Sequence, residues 1–319
     1  MKRLLLLLFI VLIFEPIHAQ VQEALTPLEL KQTTIVTQPA TLNKGFLRAG
    51  FALSFAAVDK FFDDDAKKRL FPDNIWAKSL SYQFAFQYGV SDRLQASLSI
   101  PFRNEFISQS LLLEAPLSGT SEITSWGIEG NGLSDVELGL IYQLVPEDIL
   151  RRAVLVSAFL TLPTGEKDPT DIVDEQNYTL PTGSGEGTLD LGVTFRKVQY
   201  PFSYEGAIAY DIKFGGTKII DVGEDPTDFK SGNLLTLRGA YNFHLNEWLV
   251  FQNDIFYFSF GDDEVDGQAN DLKRWALQYV PRLSFQIKRF RINQAVSFVV
   301  KGRNSSADPG YTMVVQYVF

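Results

Sequence analysis

The chain contains no cysteine, and its 319 residues include only two histidines. Disulfide staples and thiolate metal sites are therefore excluded, and imidazole chemistry is confined to two positions. It also lacks any apolar run of the roughly 20 residues that a membrane-spanning helix needs. Basic excess is absent too. With 29 Lys and Arg against 38 Asp and Glu, the formal charge is −9, which argues against a nucleic-acid partner. What the chain has in abundance is aromatic side chains: 26 Phe, 12 Tyr and 4 Trp in a sequence of near-neutral mean hydropathy, −0.01. So many rings need either a large core or a lipid-facing surface.

The N-terminus is read as an export signal. Lys2 and Arg3 precede an apolar run over residues 4–14, and Ile17-His18-Ala19 follows a short polar stretch. This layout predicts a cleaved signal peptide over residues 1–19, since eleven apolar residues are too few to span a bilayer. Residues 20–44 are expected to form a periplasmic N-terminal segment, and residues 45–319 the folded domain.

From Phe46 onward, apolar side chains recur at every second position over stretches of about ten residues. Leu80, Tyr82, Phe84, Phe86 and Tyr88 alternate with Ser81, Gln83, Ala85 and Gln87. Leu189, Leu191, Val193 and Phe195 alternate with Asp190, Gly192, Thr194 and Arg196. Successive side chains on a strand point to opposite faces, so each stretch is a strand with one apolar and one polar face. Twelve such stretches occur. The segments between them alternate in length: short at 89–93, 145–152, 198–203, 244–248 and 288–289, long at 58–78, 103–131, 163–187, 215–232, 261–271 and 302–310. Strands of about ten residues, with short turns at one end and long loops at the other, predict an all-β transmembrane antiparallel up-and-down barrel of 12 strands. Such a barrel belongs in the outer membrane of a Gram-negative cell, with lipid as its first partner. A soluble sandwich is the competing reading, but its strands usually run 5–6 residues. The terminal Phe319, with Tyr317, Val315, Met313 and Tyr311 at alternate positions, resembles the C-terminal signal read by the barrel-assembly machinery.

Little in the sequence points to catalysis. Outer-membrane phospholipases and proteases use a histidine near the extracellular half of the barrel, whereas His244 falls in a short turn at the other end and reads as solvated. No cofactor is implied. Asp262, Glu264, Asp266 and Gly267 imitate the start of a calcium loop, but position twelve is Lys273 where a bidentate Glu is required, so the motif is rejected. The remaining acidic loop residues serve either solubility or a looser surface cation site.

Charges at membrane depth must face the interior. The alternation turns Arg48, Glu137, Asp190, Arg196, Asp211, Lys213, Arg238, Arg274, Arg282 and Arg291 inward, along with Glu205, Asp254 and Lys301. These side chains either plug and stiffen a narrow barrel through mutual salt bridges or line a pore that selects solutes by charge. The loop over 103–131 carries Phe106, Ile107, Leu111, Leu112 and Leu113, which would line a pocket or constriction at the mouth or pack against neighbouring loops. Pro281, Gln294, Leu155 and Phe159 fit their strand parity poorly and are expected to mark register breaks.

Three stretches in the middle of the chain carry a family likeness. They are Gly132-Leu133-Ser134-Asp135-Val136-Glu137-Leu138-Gly139-Leu140, Leu162-Pro163-Thr164-Gly165-Glu166 and Gly187-Thr188-Leu189-Asp190-Leu191-Gly192-Val193. In order and spacing this resembles the outer-membrane transporter family labelled for the meta-pathway of phenol degradation, although Ser134 loosens that family's Gly-Asp adjacency. The resemblance implies movement of a small solute, aromatic or apolar in character, and transfers no set of binding residues. Two functions remain open at this point. One is a channel or transporter for such a solute. The other is a closed barrel that acts in structure or surface binding through its long acidic loops.

Overall fold

A computed structural model describes residues 41–71, 76–114, 121–147, 151–168, 179–219, 226–246, 248–270, 272–287 and 289–319, and for residues 108–128 the backbone alone. The predicted signal peptide and most of the segment 20–44 lie outside the described residues.

The alternating stretches form a closed antiparallel barrel of twelve staves. Its strands are β1 (Leu47–Val58), β2 (Trp76–Ser91), β3 (Leu94–Glu114), β4 (Ser121–Leu133), β5 (Val136–Val145), β6 (Ala153–Leu162), β7 (Thr188–Gln199) and β8 (Phe202–Lys213). They continue with β9 (Leu234–His244), β10 (Leu249–Phe260), β11 (Arg274–Ile287), β12 (Phe290–Arg303) and β13 (Gly310–Val318). Each stave pairs with its neighbours in sequence, and β1 closes the ring against β13. Closure leaves no unpaired sheet edge around the barrel wall itself, the condition for placing strands in hydrocarbon.

β4 and β5 together make the fourth stave. β5 pairs with the first part of β3 (Ser99 opposite Glu137), and β4 pairs with the rest (Phe102 opposite Leu133). Ser134 and Asp135 interrupt the stave between them. The region 103–131, expected as a loop, is therefore largely a β-hairpin that prolongs the wall beyond the barrel rim. β-structure continues there because β3 keeps pairing, with β2 as far as Ser108 opposite Trp76 and with β4 as far as Glu114 opposite Ser121.

The burial pattern is inverted relative to a soluble protein. Along β5, Glu137 is 6% exposed while its neighbour Leu140 is 53% exposed. Leu138, Leu191, Phe195, Ile208, Ile255 and Phe298 are likewise exposed, and Arg48, Gln95, Asn242, Asp254 and Asn293 are buried. An apolar belt this extensive would be a liability in water and is a solvation requirement in lipid. Aromatic side chains mark the turn end of the belt: Tyr88, Tyr204, Trp248, Phe290 and Phe319 are all exposed.

Three of four expected irregularities come out differently. Pairing of β10 with β11 runs through Pro281 without a shift, and the bulge of β11 against β12 sits at Leu277/Gln278. That bulge turns Lys301 outward, opposite Leu277, instead of inward. Gln294 stays in register between Leu283 and Met313. Leu155 and Phe159 point inward, where they pack with Ile141 and Ala153 into a small apolar cluster; pairing with β7 is unbroken, while pairing with β5 shifts beside Leu155, at Gln143/Val145.

Candidate functional site

The candidate site is the barrel interior and its mouth. The inward faces fall into two kinds. On β7 and β8 the side chains between the ends are small: Gly192, Thr194, Ala207 and Ala209 all retain accessible surface. Gly50, Ala52 and Ala85 do so on β1 and β2, nearly across the ring. The intervening walls are bulky. β5 and β6 contribute Ile141, Leu155 and Phe159, and β9 to β12 contribute Leu234, Phe256, Phe258, Ala276, Val280 and Ala295. Phe256 and Phe258 stack with ring centroids 5.7 Å apart, and the Arg238 guanidinium lies 5.8 Å from the Phe256 ring. Gly139 makes room for the Phe159 ring: a Cβ there would stand 2.2 Å from Phe159 Cδ1.

The charged residues occur at three levels. Toward the loop end, Asp190 stands directly opposite Asp211 across β7 and β8, and Glu137 lies within electrostatic reach of both. Lys213 Nζ donates to Thr188 Oγ1 at 3.1 Å beside them. Arg274 pairs with Asp263 of the adjoining loop, and Arg103 with Glu105 at 3.6 Å. At mid-height Arg238 donates to Asp254 Oδ1 through Nε (2.9 Å) and Nη2 (2.7 Å), and its Nη1 lies 3.2 Å from Glu205. Arg282 reaches the other Asp254 oxygen at 3.4 Å. Asp254 is wholly buried, so this network satisfies a carboxylate that would otherwise be very costly to enclose. Near the turn end Arg196 lies 3.6 Å from Glu147, Arg48 donates to Gln87 at 2.8 Å, and Arg291 donates to Ser284 and Asn293. Burial pushes the Glu147 carboxyl above its usual range, against the pull of Arg196.

His244 corrects an expectation. It is buried rather than solvated, its Nε2 lies 3.1 Å from Ser203 Oγ, and that hydroxyl also accepts from Asn242 Nδ2 at 3.0 Å. As the last residue of β9 its side chain falls on the inward parity. The described end of the N-terminal segment enters nearby: Thr41 and Leu42 are buried, and the Leu42 amide donates to the inward Gln95 at 3.0 Å.

The apolar residues expected to line a loop pocket lie on strand β3 instead. Phe106 packs its ring against Trp76 at 5.2 Å, opposite Lys78, and Ile107 is half-buried opposite Ile128. Leu111, Leu112 and Leu113 pair with Thr124, Ile123 and Glu122, and their side chains lie outside the described residues. Ladder hydrogen bonding explains the difference: β3 continues because β4 is there to pair with it.

Sequence reasoning missed the cluster that organises the mouth. Asp135, at the break between β4 and β5, accepts from Gly165 N–H at 3.0 Å through one oxygen. Its other oxygen accepts from both the amide and the hydroxyl of Ser184 at 2.7 Å. Thr164 donates to Ser134 O at 3.1 Å and accepts from Val136 N–H at 2.9 Å. Thr182 donates to Leu133 O at 2.7 Å, and the Leu180 amide donates to Glu129 O at 2.8 Å, so this segment covers the free edge of β4. Glu186 accepts from Ser231, and Asp263 accepts from Gly232 N–H at 2.8 Å, tying the next two loops in. Gly165 and Gly183 are required here, since a Cβ on either would come within 2.8 Å of the other's backbone. The signal available in the sequence was the Gly/Ser/Thr-rich composition of 162–166 and 182–187. Several loop carboxylates are thus internal acceptors, and among the described residues no group of three or more acidic or histidine side chains is placed to hold a metal.

Solved barrels resemble this one. An outer membrane channel from Pseudomonas putida F1 superposes with a TM-score of 0.67 at 13% identity, covering 88% of this chain and 97% of that one. The NanC porin superposes with a TM-score of 0.45 at 12% identity, covering 85% of this chain and 98% of that one. The toluene transporter TodX of P. putida gives 0.44 at 11% identity, with 86% and 89% covered. At 13% identity the likeness to the P. putida F1 channel is one of fold. The three motif stretches, the first two of which meet at Asp135, all lie within residues 105–305, the span that matches the family described as "Putative MetA-pathway of phenol degradation", and the chain belongs to that family.

Proposed function

We propose that this protein is a passive outer-membrane channel for a small solute of aromatic or apolar character. The observation that carries the reading is the interior of the closed barrel. Small side chains on β1–β2 and on β7–β8 keep accessible surface, while apolar side chains fill the walls between them. Such an interior is a slot with faces of small side chains and apolar flanks, and it suits a flat, weakly polar molecule better than a hydrated sugar. The similar barrel from P. putida F1 being an outer membrane channel supports the same reading, as does the family's association with phenol degradation.

In this reading the inward residues Arg48, Glu137, Asp190, Arg196, Asp211, Lys213, Arg238, Arg274, Arg282 and Arg291 set the electrostatics of the passage. The long loops are extracellular and the short turns periplasmic. Residues 1–19 are removed on export, and Tyr317 and Phe319 present the C-terminal strand to the assembly machinery. Conductance in a planar bilayer tests the proposal, together with uptake of phenol and of glucose by liposomes carrying the barrel. The channel reading expects discrete current steps and faster uptake of phenol than of glucose. A heat-modifiable, folded barrel that passes neither ions nor either solute refutes it and leaves a closed, surface-binding barrel.

A further inference from the structure

The lipid-facing surface differs from one side of the barrel to the other. Between the strand ends, the outward positions of β1, β2, β5, β6 and β7 carry only Ala, Val, Leu, Phe and Tyr side chains. The staves from β8 to β12 depart from this. Asn253 of β10 stands on the outward parity between the exposed Phe251 and Ile255, and Gln294 of β12 does so between Ile292 and Val296. Each is the fifth residue of its strand. At about 3.4 Å per residue and a tilt of about 40°, both lie roughly 10 Å inside the turn-end rim. Asn253 accepts from the Tyr279 hydroxyl at 2.6 Å, and its Nδ2 donors have no acceptor among the described residues. The Gln294 side chain has no hydrogen-bond partner among them. Acyl chains offer a carboxamide neither donor nor acceptor, so its desolvation goes unrelieved in lipid. A notch adjoins these amides. Gly206 of β8 and Gly239 of β9 pair directly on the outward parity, and the same row continues to Ile255 of β10. A Cβ on Gly239 would meet nothing within 4 Å, and one on Gly206 only the Arg238 carbonyl oxygen at 4.0 Å. Packing within the chain therefore demands neither glycine, although a glycine inside a strand weakens it. Their effect is to let a group from outside approach the backbone closely.

We infer that the outward face of β8 to β12 is the contact between two copies of this chain in the membrane, with Asn253 and Gln294 hydrogen-bonding across it and the Gly206–Gly239 notch admitting side chains of the second copy. In hydrocarbon, association is driven by close packing and interchain hydrogen bonds, and small residues permit the close approach. Acyl chains fill a notch but leave the amides unsatisfied. A second copy meets both needs, because a carboxamide is donor and acceptor together and pairs with its own kind. A two-fold axis along the membrane normal, beside β10, keeps every residue at its own depth. It sets Asn253 against its counterpart, and the notch of one copy against β11 and β12 of the other. The contact lies on the outer wall, so it holds whether or not the lumen conducts.

Because the chain has no cysteine, a single introduced thiol reports proximity without background. Ile255 on β10 and Leu140 on β5 are both 53% exposed on the lipid side, the first inside the inferred contact and the second on another wall. Oxidation is carried out with the barrel dilute in liposomes and in outer-membrane vesicles from cells making the protein. Ile255→Cys should give a covalent dimer of twice the chain mass, in roughly tenfold greater yield than Leu140→Cys. Asn253→Leu with Gln294→Leu should weaken dimerisation in detergent, followed by sedimentation, by about tenfold. Gly206→Val with Gly239→Val fills the notch and should weaken it by about as much, with open space around both Cβ positions to keep the fold intact. Heat-modifiable migration reports folding of each variant, and the Ile255→Cys cross-link needs neither pair. Equal yields from Ile255→Cys and Leu140→Cys, an Ile255→Cys adduct to a different protein, or dimerisation unchanged in both double variants overturns the inference. A barrel that passes no solute while the Ile255→Cys dimer forms refutes the channel and leaves this contact standing.

Discussion

Asp135 holds the mouth of the barrel together, and its removal has a calculable consequence. Its carboxylate accepts three hydrogen bonds, from Gly165 N–H at 3.0 Å and from the amide and hydroxyl of Ser184 at 2.7 Å. Hydrogen bonds to a charged acceptor contribute about 1.5–3 kcal/mol each when buried, and this group is half-buried, so about 2–3 kcal/mol for the cluster is a discounted figure. The loss should be local. The segments 163–168 and 179–187 are held to the barrel mainly by this cluster, whereas the staves are held by continuous ladders. Asp135→Ala should therefore raise hydrogen-exchange rates in those two segments by roughly 30- to 150-fold, since 1.4 kcal/mol is a factor of ten. Asp135→Asn keeps one acceptor and should fall between the two. Gly183→Ala should resemble Asp135→Ala, because its Cβ would meet the Gly165 backbone at 2.7 Å and Asp135 Oδ1 at 2.8 Å. Exchange measured by mass spectrometry on the barrel in detergent decides the matter. Unchanged protection in 163–168 and 179–187, or equal acceleration throughout the staves, refutes the account.

Three further outcomes are expected. Asp254→Ala deprives Arg238 and Arg282 of a fully buried partner and should cost about 3–5 kcal/mol, read as a lower urea midpoint for the heat-modifiable gel shift, with Asp254→Asn less severe. Gly139→Ala drives a methyl into the Phe159 ring and should cost about 1–3 kcal/mol in the same assay, while adding Phe159→Ala should recover part of the loss. The Lys67 amide, the Arg69 side chain and the Asp65 amide hold the half-buried Asp63 carboxyl below its ordinary 3.8, so its turn is held above that pH and released as pH falls through the lower folded value. Protection of the Asp65 and Lys67 amides, corrected for intrinsic exchange, should accordingly be lost only in acid below pH 3.8, and loss near neutrality contradicts the assignment.

Most of the barrel was legible because a strand in lipid must obey two local rules at once. It needs about ten residues to cross, and its faces must alternate between lipid and interior. Both are properties of a contiguous segment, so the pattern of Leu80 to Tyr88 or Leu189 to Phe195 carried strand, length and parity without any knowledge of neighbours. The number of staves and the separation of long loops from short turns followed by addition. The inward parity of Arg48, Asp190 and Arg238 did too, because a charge facing lipid costs too much to persist.

What neighbours decide was hidden. β3 runs to Glu114 rather than ending near Phe102 because β2 and β4 pair with it, and pairing is not written in the alternation of one strand. Leu155 and Phe159 looked misplaced in a polar lumen until Gly139, on the adjacent stave, gave the ring its space. Pro281 was tolerated where a bulge was expected, and the bulge three residues earlier reversed Lys301. Asp135 gave no sign of its role, since its partners Gly165 and Ser184 lie 30 and 49 residues away. The amino-acid sequence by itself determined a twelve-stave barrel with an apolar outside and a charged inside, because transfer between water and lipid acts residue by residue. Only the tertiary structure decided which charges meet and how the loops close on one another, because Coulombic attraction, hydrogen bonding and contact depend on distances that chain order does not contain.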